Sequence, residues 1–417
     1  MGVNRDILSA VVRTCTLRRC GDCCQPQELP QVAAAVAVMM LARTDPEPST
    51  SWCLILLPQE CSVKVLPFLL AASLLSSATA AMAAGSNVVG SAVGSTTATP
   101  ATPATPAAPT EAQKSLMGYT EGALIMSVSP DVTRINSRTG IVYSQITSGD
   151  FRQLHMTVLW PETDAPKPAV IFFPGGGFTT ADHDRYMQMR FALAEAGFVV
   201  AAAEYRTVPN TFPALLEDGK AAVRYLRAHA ADFGIAPDKI AVFGDSAGGY
   251  MAQIVGTTNG EKQYDKGDFL EVSSDVQAAV SIYGISDLTC IGEGYSEDIV
   301  KVHHSPAVTE ALLVNGPAFN TFPGASILDN KEKAAEASPI NHVDKNDPPM
   351  LLLHGSADTL VSPWQSAHMY EKQKQAGVDS TYIVLEGADH GGKMWYQKEV
   401  FAQVINFLQE KLGLSKE

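Results

Sequence analysis

The sequence predicts an α/β fold built on a mostly parallel, doubly wound sheet, and three features lead to it. Short apolar runs alternate with stretches of helical periodicity from residue 167 onward. One run, within "KIAVFGDSAGGYMAQ" (Lys239–Gln253), passes through a glycine-rich turn directly into a helix. Two later runs end in turns that carry an aspartate and a histidine, so polar groups collect where strands stop.

Taken in order, "IVYSQIT" and "LHMTVLW" alternate apolar and polar positions around Ser-Gly-Asp, which reads as an opening antiparallel hairpin. "AVIFF" is a buried strand followed by a helix over Tyr186–Ala196. "FVVAAAEY" precedes a helix over Ala214–Ala231, and "IAVF" (Ile240–Phe243) precedes one that carries Tyr250, Met251, Ile254 and Val255 at helical spacing. "AAVSIYG", "MLLLHG" and "STYIVLEG" complete the set of buried strands, with helices at Trp364–Ala376 and Lys398–Leu412. Leu288–Asp347 is an insertion between two late strands. Uniformly apolar strands of this kind are buried on both faces, as a parallel sheet covered by helices requires. No internal repeat is visible.

The chain of 417 residues is 46% hydrophobic and 18% charged, enough for one large domain plus extra segments. Its formal charge of −14 argues against a nucleic-acid partner and against attraction to anionic membrane surfaces. Six of the seven cysteines fall within the first 61 residues; only Cys290 lies beyond. "CGDCC" holds one C-x-x-C, but no second pair, no spaced histidines and no βαβ pattern accompany it, so a metal or redox role is not expected there.

Residues 65–84, "VLPFLLAASLLSSATAAMAA", follow Lys64 and end in a small-x-small Ala81-Met82-Ala83, the anatomy of a secretory signal peptide. Two readings compete. If Met1 is the start, the segment is a membrane anchor, weakened by Pro67 and small polar residues. If translation starts at Val63 from a GTG codon, residues 1–62 are not native, which accounts for the misplaced signal and the cysteine cluster together. The second reading is preferred. It divides the chain into an extension (1–62), a signal-like segment (63–83), a Thr/Pro/Ala-rich extended linker (84–114) containing "TTATPATPATPAAPT", and a globular domain (115–417). A secreted or periplasmic location follows.

Functional groups in a parallel sheet belong in loops after the strands. After "AVIFF" comes Pro174-Gly175-Gly176-Gly177-Phe178, and after "IAVF" comes Gly-Asp-Ser246-Ala-Gly. After "MLLLHG" comes Ser356-Ala357-Asp358, and after "IVLEG" comes Ala388-Asp389-His390-Gly391. A G-x-S-x-G turn exposes its serine at the sheet edge, and the chain order Ser…Asp…His is that of α/β-hydrolases rather than of chymotrypsin- or subtilisin-like enzymes.

From about Gly140 to Leu412 the chain therefore resembles the α/β-hydrolase superfamily. "GDSAGG" with an upstream triple glycine resembles its hormone-sensitive-lipase branch. "EYRTVPNTFPALLEDGKAAVRYLRAHAADFGIAPDKIAVFGDSAGG", "ASPINHV", "PPMLLLHGSADTLVSP" and "GADHGG" are more similar still to the bifunctional feruloyl and acetyl-xylan esterases. The resemblance implies Ser246 as nucleophile, His390 as base, Asp358 as its orienting acid, and the N–H groups of Gly176, Gly177 and Ala247 as the oxyanion hole. It implies an esterase acting on small esters or acylated carbohydrates, with no metal or organic cofactor, no nucleic acid and no stable membrane partner. The family's glycine motif usually opens with histidine, where this chain has Pro174, so the anchoring of that loop is the departure to examine.

The remaining polar residues have plainer readings. Asp245 and Asp389 adjoin the serine and the histidine and are read as structural or rim residues. His303 and His304 are assigned to a solvated loop, and His354 to a structural role. Tyr295, Phe319 and Phe322 either line an acyl or aromatic pocket or pack the insertion onto the body. A catalytically inactive hydrolase fold on a Thr-Pro stalk is the alternative from another class, disfavoured because all three candidate residues are present. A prolyl-oligopeptidase-type peptidase shares the residue order, but the chain has no room for the large extra domain. Within esterases, a general carboxylesterase or lipase is the runner-up. N-terminal sequencing of protein from the native host tests the segment boundaries: the expected start lies near Ala84, whereas a start at Met1 or Gly2 overturns both the preferred start site and the cleavage.

Overall fold

The computed structural model describes residues 108–147 and 151–414. The expected extension, signal-like segment and most of the linker lie outside them, as does the Ser-Gly-Asp of the opening hairpin. At the end of the linker the chain is not extended throughout: Glu111–Lys114 (α1) forms one helical turn, with a capping box in which Thr110 and Gln113 satisfy each other's backbone.

Eight strands form one sheet in the order β1-β2-β4-β3-β5-β6-β7-β8. They are β1 (Ile135–Ile146), β2 (Arg152–Pro161), β3 (Lys167–Phe173), β4 (Val199–Ala203), β5 (Ile235–Asp245), β6 (Ala278–Ile282), β7 (Met350–Gly355) and β8 (Ser380–Leu385). β1 and β2 run antiparallel, β2 joins β4 antiparallel, and every pairing from β4 to β8 is parallel. This is the α/β-hydrolase fold. Among the described residues no helix is long and apolar enough to cross a membrane.

The period of two along each strand divides the core into two layers. In β3, Ala169, Ile171 and Phe173 enter one apolar cluster and Val170 and Phe172 the other. In β7, Met350 and Leu352 face the first, Leu351 and Leu353 the second. The second face is covered by α2 (Met187–Glu195) through Met189 and Leu193, and by α10 (Lys398–Leu412) through Val404 and Leu408. The first is covered by α3 (Ala214–Ala228), α5 (Ala247–Thr257) and α9 (Trp364–Ala376), the last through Met369. Helices on both faces explain why the central strands carry apolar residues toward both sides of the sheet.

Three elements differ from expectation for local reasons. The helix expected over Ala214–Ala231 breaks at His229, whose backbone leaves the helical range (φ −101°, ψ 22°), and resumes as α4 (Ala230–Phe233). β5 starts at Ile235, earlier than its apolar run, because Ile235 pairs with Lys167 of β3. β8, expected as a fully buried strand, is the edge of the sheet, so Thr381 and Val384 are exposed. The insertion between β6 and β7 holds α6 (Glu297–His303), α7 (Thr309–Asn315) and α8 (Lys331–Glu336) among short 3₁₀ turns.

The passage from β5 to α5 depends on contact between two backbones. A Cβ on Gly248 would collide with the carbonyl of Phe173 at the end of β3, and no rotamer change relieves a clash with main chain. Gly248→Ala is expected to cost about 3 kcal/mol or more, read as a large drop in thermal midpoint. Gly260→Ala, where a Cβ meets open space and only the positive φ is strained, is expected to cost about 1 kcal/mol. Equal stability of the two variants refutes the contact.

Candidate active site

Ser246 lies between β5 and α5 with φ 55° and ψ −121°, a strained conformation for a residue with a side chain. Its N–H donates to the Ile282 carbonyl at 2.9 Å and its carbonyl accepts from Tyr250 N–H at 2.9 Å, so both neighbouring elements hold the turn. The Ser246 Oγ lies 2.9 Å from His390 Nε2, and His390 Nδ1 lies 2.8 Å from Asp358 Oδ2. A carboxylate only accepts, so Nδ1 carries the proton and Nε2 is left to accept from the serine hydroxyl. The structure thus brings together, across 144 residues of chain, the three side chains singled out at three strand ends.

Asp358 is buried, yet well supplied with donors. Its Oδ1 accepts from the N–H groups of Leu360 and Val361, each at 2.9 Å. Its Oδ2 also lies 3.3 Å from Nε2 of the fully buried His354. His354 Nε2 faces the Val361 carbonyl at 3.0 Å and its Nδ1 faces Ser366 Oγ at 2.7 Å, so the proton sits on Nε2 and the ring is fixed at both ends. Burial alone would raise the Asp358 pKa. The hydrogen bonds from His354 and His390, the imidazole charge and the Val361 amide outweigh it and hold the carboxyl well below the usual range. The stability from those bonds is therefore present above the ordinary carboxylate range and is lost only as pH falls through the depressed value.

His390 is positioned by aromatic packing that the motif does not announce. Tyr283, at the end of β6 with φ 41°, sets its ring 4.6 Å from the imidazole and 4.6 Å from the buried Trp395. Trp395 Nε1 donates to the Asp389 carbonyl at 2.8 Å. Asp389 itself turns away from the imidazole: its Oδ1 accepts from Thr359 N–H at 3.0 Å, Thr359 Oγ1 at 3.1 Å and His390 N–H at 2.8 Å. It ties the acid turn to the histidine turn, as a structural residue should.

The triple-glycine loop packs against the serine turn so closely that a Cβ on Gly175 would lie 3.1 Å from Cβ of Ser246. Gly175 N–H donates to the buried Asp245 Oδ1 at 3.0 Å, and Arg185 Nη1 donates to the Gly175 carbonyl at 3.2 Å. Tyr205 Oη donates to the Pro174 carbonyl at 2.6 Å. These bonds act on main chain, so they hold the loop without a side chain's help at position 174. Gly176, at φ 154°, has no room for a Cβ because the Thr180 carbonyl fills it. Among the described residues no protein acceptor engages the N–H groups of Gly176, Gly177 or Ala247. Neither Tyr205 nor Arg185 was legible as a loop anchor in the sequence; "AEYR" after a strand end was the only signal.

The insertion approaches this loop: a Cβ on Gly177 would lie 3.6 Å from Thr309 Cγ2, at the start of α7. His303 is not in a solvated loop. It closes α6, is buried, and faces Glu310 at 3.2 Å, because the carboxylate gives it a partner the sequence did not reveal. Tyr295 donates to the Asp358 carbonyl at 3.0 Å, whereas Phe319 is 81% exposed and bridges back to Phe322 in an outlying turn. A cleft of about 410 Å³ walled by Tyr295, Asp358, Trp364 and Tyr382 opens beside the acid turn; Ser246 is not among its walls.

A hydroxyl donating to an imidazole that a buried carboxylate orients, beside unengaged amides, is arranged for nucleophilic attack and for receiving an oxyanion. Comparison with known proteins agrees with that chemistry. The family model described as BD-FAE matches residues 156–373, a span that takes in Ser246 and Asp358 and stops before His390. The chain is 30% identical over 236 residues to LipM of Mycobacterium tuberculosis, named a probable carboxylic ester hydrolase, covering 55% of this chain and 51% of that protein. It is 31% identical over 245 residues to the esterase LipC of the same organism, covering 56% of each. The chain thus spans little more than half the length of these curated relatives. A truncated form of a carbohydrate esterase from gut microbiota superposes with a TM-score of 0.58 at 26% identity, covering 68% of this chain and 99% of that one.

A fluorophosphonate probe tests the assembly. Ser246 is expected to be the labelled residue, with no labelling of Ser246→Ala. Asp358→Asn is expected to label up to about 10⁴-fold more slowly, since the wrong imidazole tautomer is favoured, and Asp389→Asn far less so. Asp358, held ionised well below the usual carboxylate range, is expected to add no pH dependence to the labelling rate within that range. Equal losses at the two aspartates overturn the assignment.

Proposed function

We propose, from the premise that the chain belongs to the BD-FAE family, that it is a serine esterase hydrolysing short acyl esters, foremost acetyl and then feruloyl groups on carbohydrates. The observation that carries this reading is His390 bridging Ser246 Oγ at 2.9 Å and Asp358 Oδ2 at 2.8 Å. The named activities of LipM and LipC support ester hydrolysis, and the named activity of the gut-microbiota esterase supports a carbohydrate substrate. Export, read from the signal-like segment, suits a substrate outside the cytoplasm.

In the proposed sequence, His390 Nε2 takes the Ser246 proton as Oγ adds to the ester carbonyl carbon. The carbonyl π electrons move onto oxygen, where the N–H groups of Gly176, Gly177 and Ala247 receive the charge, each worth about 3 kcal/mol. Collapse expels the alcohol, which takes the proton from His390 and leaves the acyl group on Ser246. Water, deprotonated by His390, then adds to the acyl-enzyme and releases the acid, restoring the hydroxyl. Asp358 stays ionised and stabilises the imidazolium in both halves.

A panel of p-nitrophenyl esters of rising chain length, acetylated xylan and methyl ferulate decides the substrate. The expected result is release of acetate from xylan and a steep fall in kcat/KM beyond about six acyl carbons. Activity confined to short aryl esters reduces the protein to a general carboxylesterase. Preference for long chains with activation at an oil–water interface makes it a lipase.

A further inference from the structure

Outside the serine site, a thiol, a carboxylate and an imidazole converge at the start of the insertion. The Cys290 Sγ, a Glu293 carboxylate oxygen and a His368 ring nitrogen all lie within 4.8 Å of one another. Cys290 ends the 3₁₀ turn Leu288–Cys290, Glu293 follows three residues later, and His368 comes from α9. His368 Nδ1 and Glu293 Oε2 are 3.6 Å apart, too far for a direct hydrogen bond. We propose that Cys290, Glu293 and His368 form a binding site for one borderline divalent cation, zinc, which fastens the insertion to α9 beside the Asp358 turn.

The donor set selects the ion. A thiolate with an imidazole and a carboxylate is zinc chemistry, whereas calcium and magnesium take oxygen ligands throughout. Bonds of 2.0–2.3 Å to a tetrahedral ion put donors about 3.4 Å apart, so small side-chain rotations close these three onto one centre. Three protein donors leave a position for water.

The backbone beneath the donors is already fixed. Gln365, one turn before His368 on the same face of α9, accepts from the N–H groups of Ser286 and Asp287 at 2.8 and 2.7 Å. Its Nε2 donates to the Asp287 carbonyl at 3.1 Å and the Cys290 carbonyl at 3.4 Å. Ser362 Oγ donates to the Glu293 carbonyl at 2.5 Å. The turn carrying Cys290 and Glu293 is thus held against the helix carrying His368 without the ion. The sequence reading assigned no metal ligands because the third donor lies 75 residues further along the chain. The site is structural and supplies nothing to the ester chemistry, so it stands independently of it.

Full-length protein stripped of metal is titrated with zinc against a chromophoric chelator, and in parallel with cobalt(II), whose thiolate charge-transfer absorption reports sulfur ligation. Because the six cysteines in residues 1–61 bring thiols of their own, the readout is the difference between wild type and variants. Wild type is expected to bind one equivalent more than Cys290→Ser and His368→Ala, and zinc to raise its thermal midpoint but not theirs. Glu293→Gln, at an exposed position, keeps the test valid if either of the others fails to fold. It is expected to weaken zinc binding by about tenfold or more. Unchanged stoichiometry and affinity in the variants, or a cobalt spectrum unaffected by Cys290→Ser, overturns the proposal.

Discussion

The close approach of the serine turn to the end of β3 is the constraint from which the rest of the site follows. Gly248 sits where a Cβ would strike the Phe173 carbonyl, and the residue after Phe173 begins the triple-glycine loop. Neighbouring parallel strands β3 and β5 therefore deliver their loops to the same point, one with the hydroxyl and the Ala247 amide, the other with the Gly176 and Gly177 amides. Bulk at the contact would separate the two loops before it touched any side chain. That is why the glycines matter more than the residue types around them.

Two aspartates show how geometry assigns different tasks to the same chemistry. Asp358 collects four donors and carries its charge at a position that faces the imidazole. Asp245 precedes the serine but points into the protein, where burial raises its pKa against the pull of the Gly175 amide and Arg185. One carboxylate orients an imidazole; the other pins a loop. His354 belongs with the first, because it gives Asp358 a second imidazole donor and is itself locked between Ser366 and Val361.

Much of this was legible in the sequence because a parallel sheet makes strand ends coincide in space. Apolar runs locate the strands, so Ser246, Asp358 and His390 were found as the polar residues that follow them. The supports were not legible, because their evidence is three-dimensional. Tyr205 holds the glycine loop by bonding to the Pro174 carbonyl, a contact to main chain that leaves no pattern. Tyr283 and Trp395 read as ordinary core aromatics until their rings are seen against His390. The exposure of β8 follows from its place at the sheet edge, which strand composition alone does not give.

The insertion is tied to the chemistry at separated points. Tyr295 donates to the Asp358 carbonyl, Ser362 and Gln365 hold the turn that carries Cys290 and Glu293, and Thr309 stands against Gly177. Between them, Phe319 and Phe322 form an exposed turn that bridges to itself. An insertion held this way can change in the free segment while the acid turn and the glycine loop stay in register. The same ties carry a cost: loss of the Tyr295 hydroxyl removes a bond to the Asp358 carbonyl, so the insertion and the acid turn are not independent. Change in the insertion is therefore physically cheapest in the segment between α7 and α8, where the chain is largely exposed and Phe319 and Phe322 bond to each other.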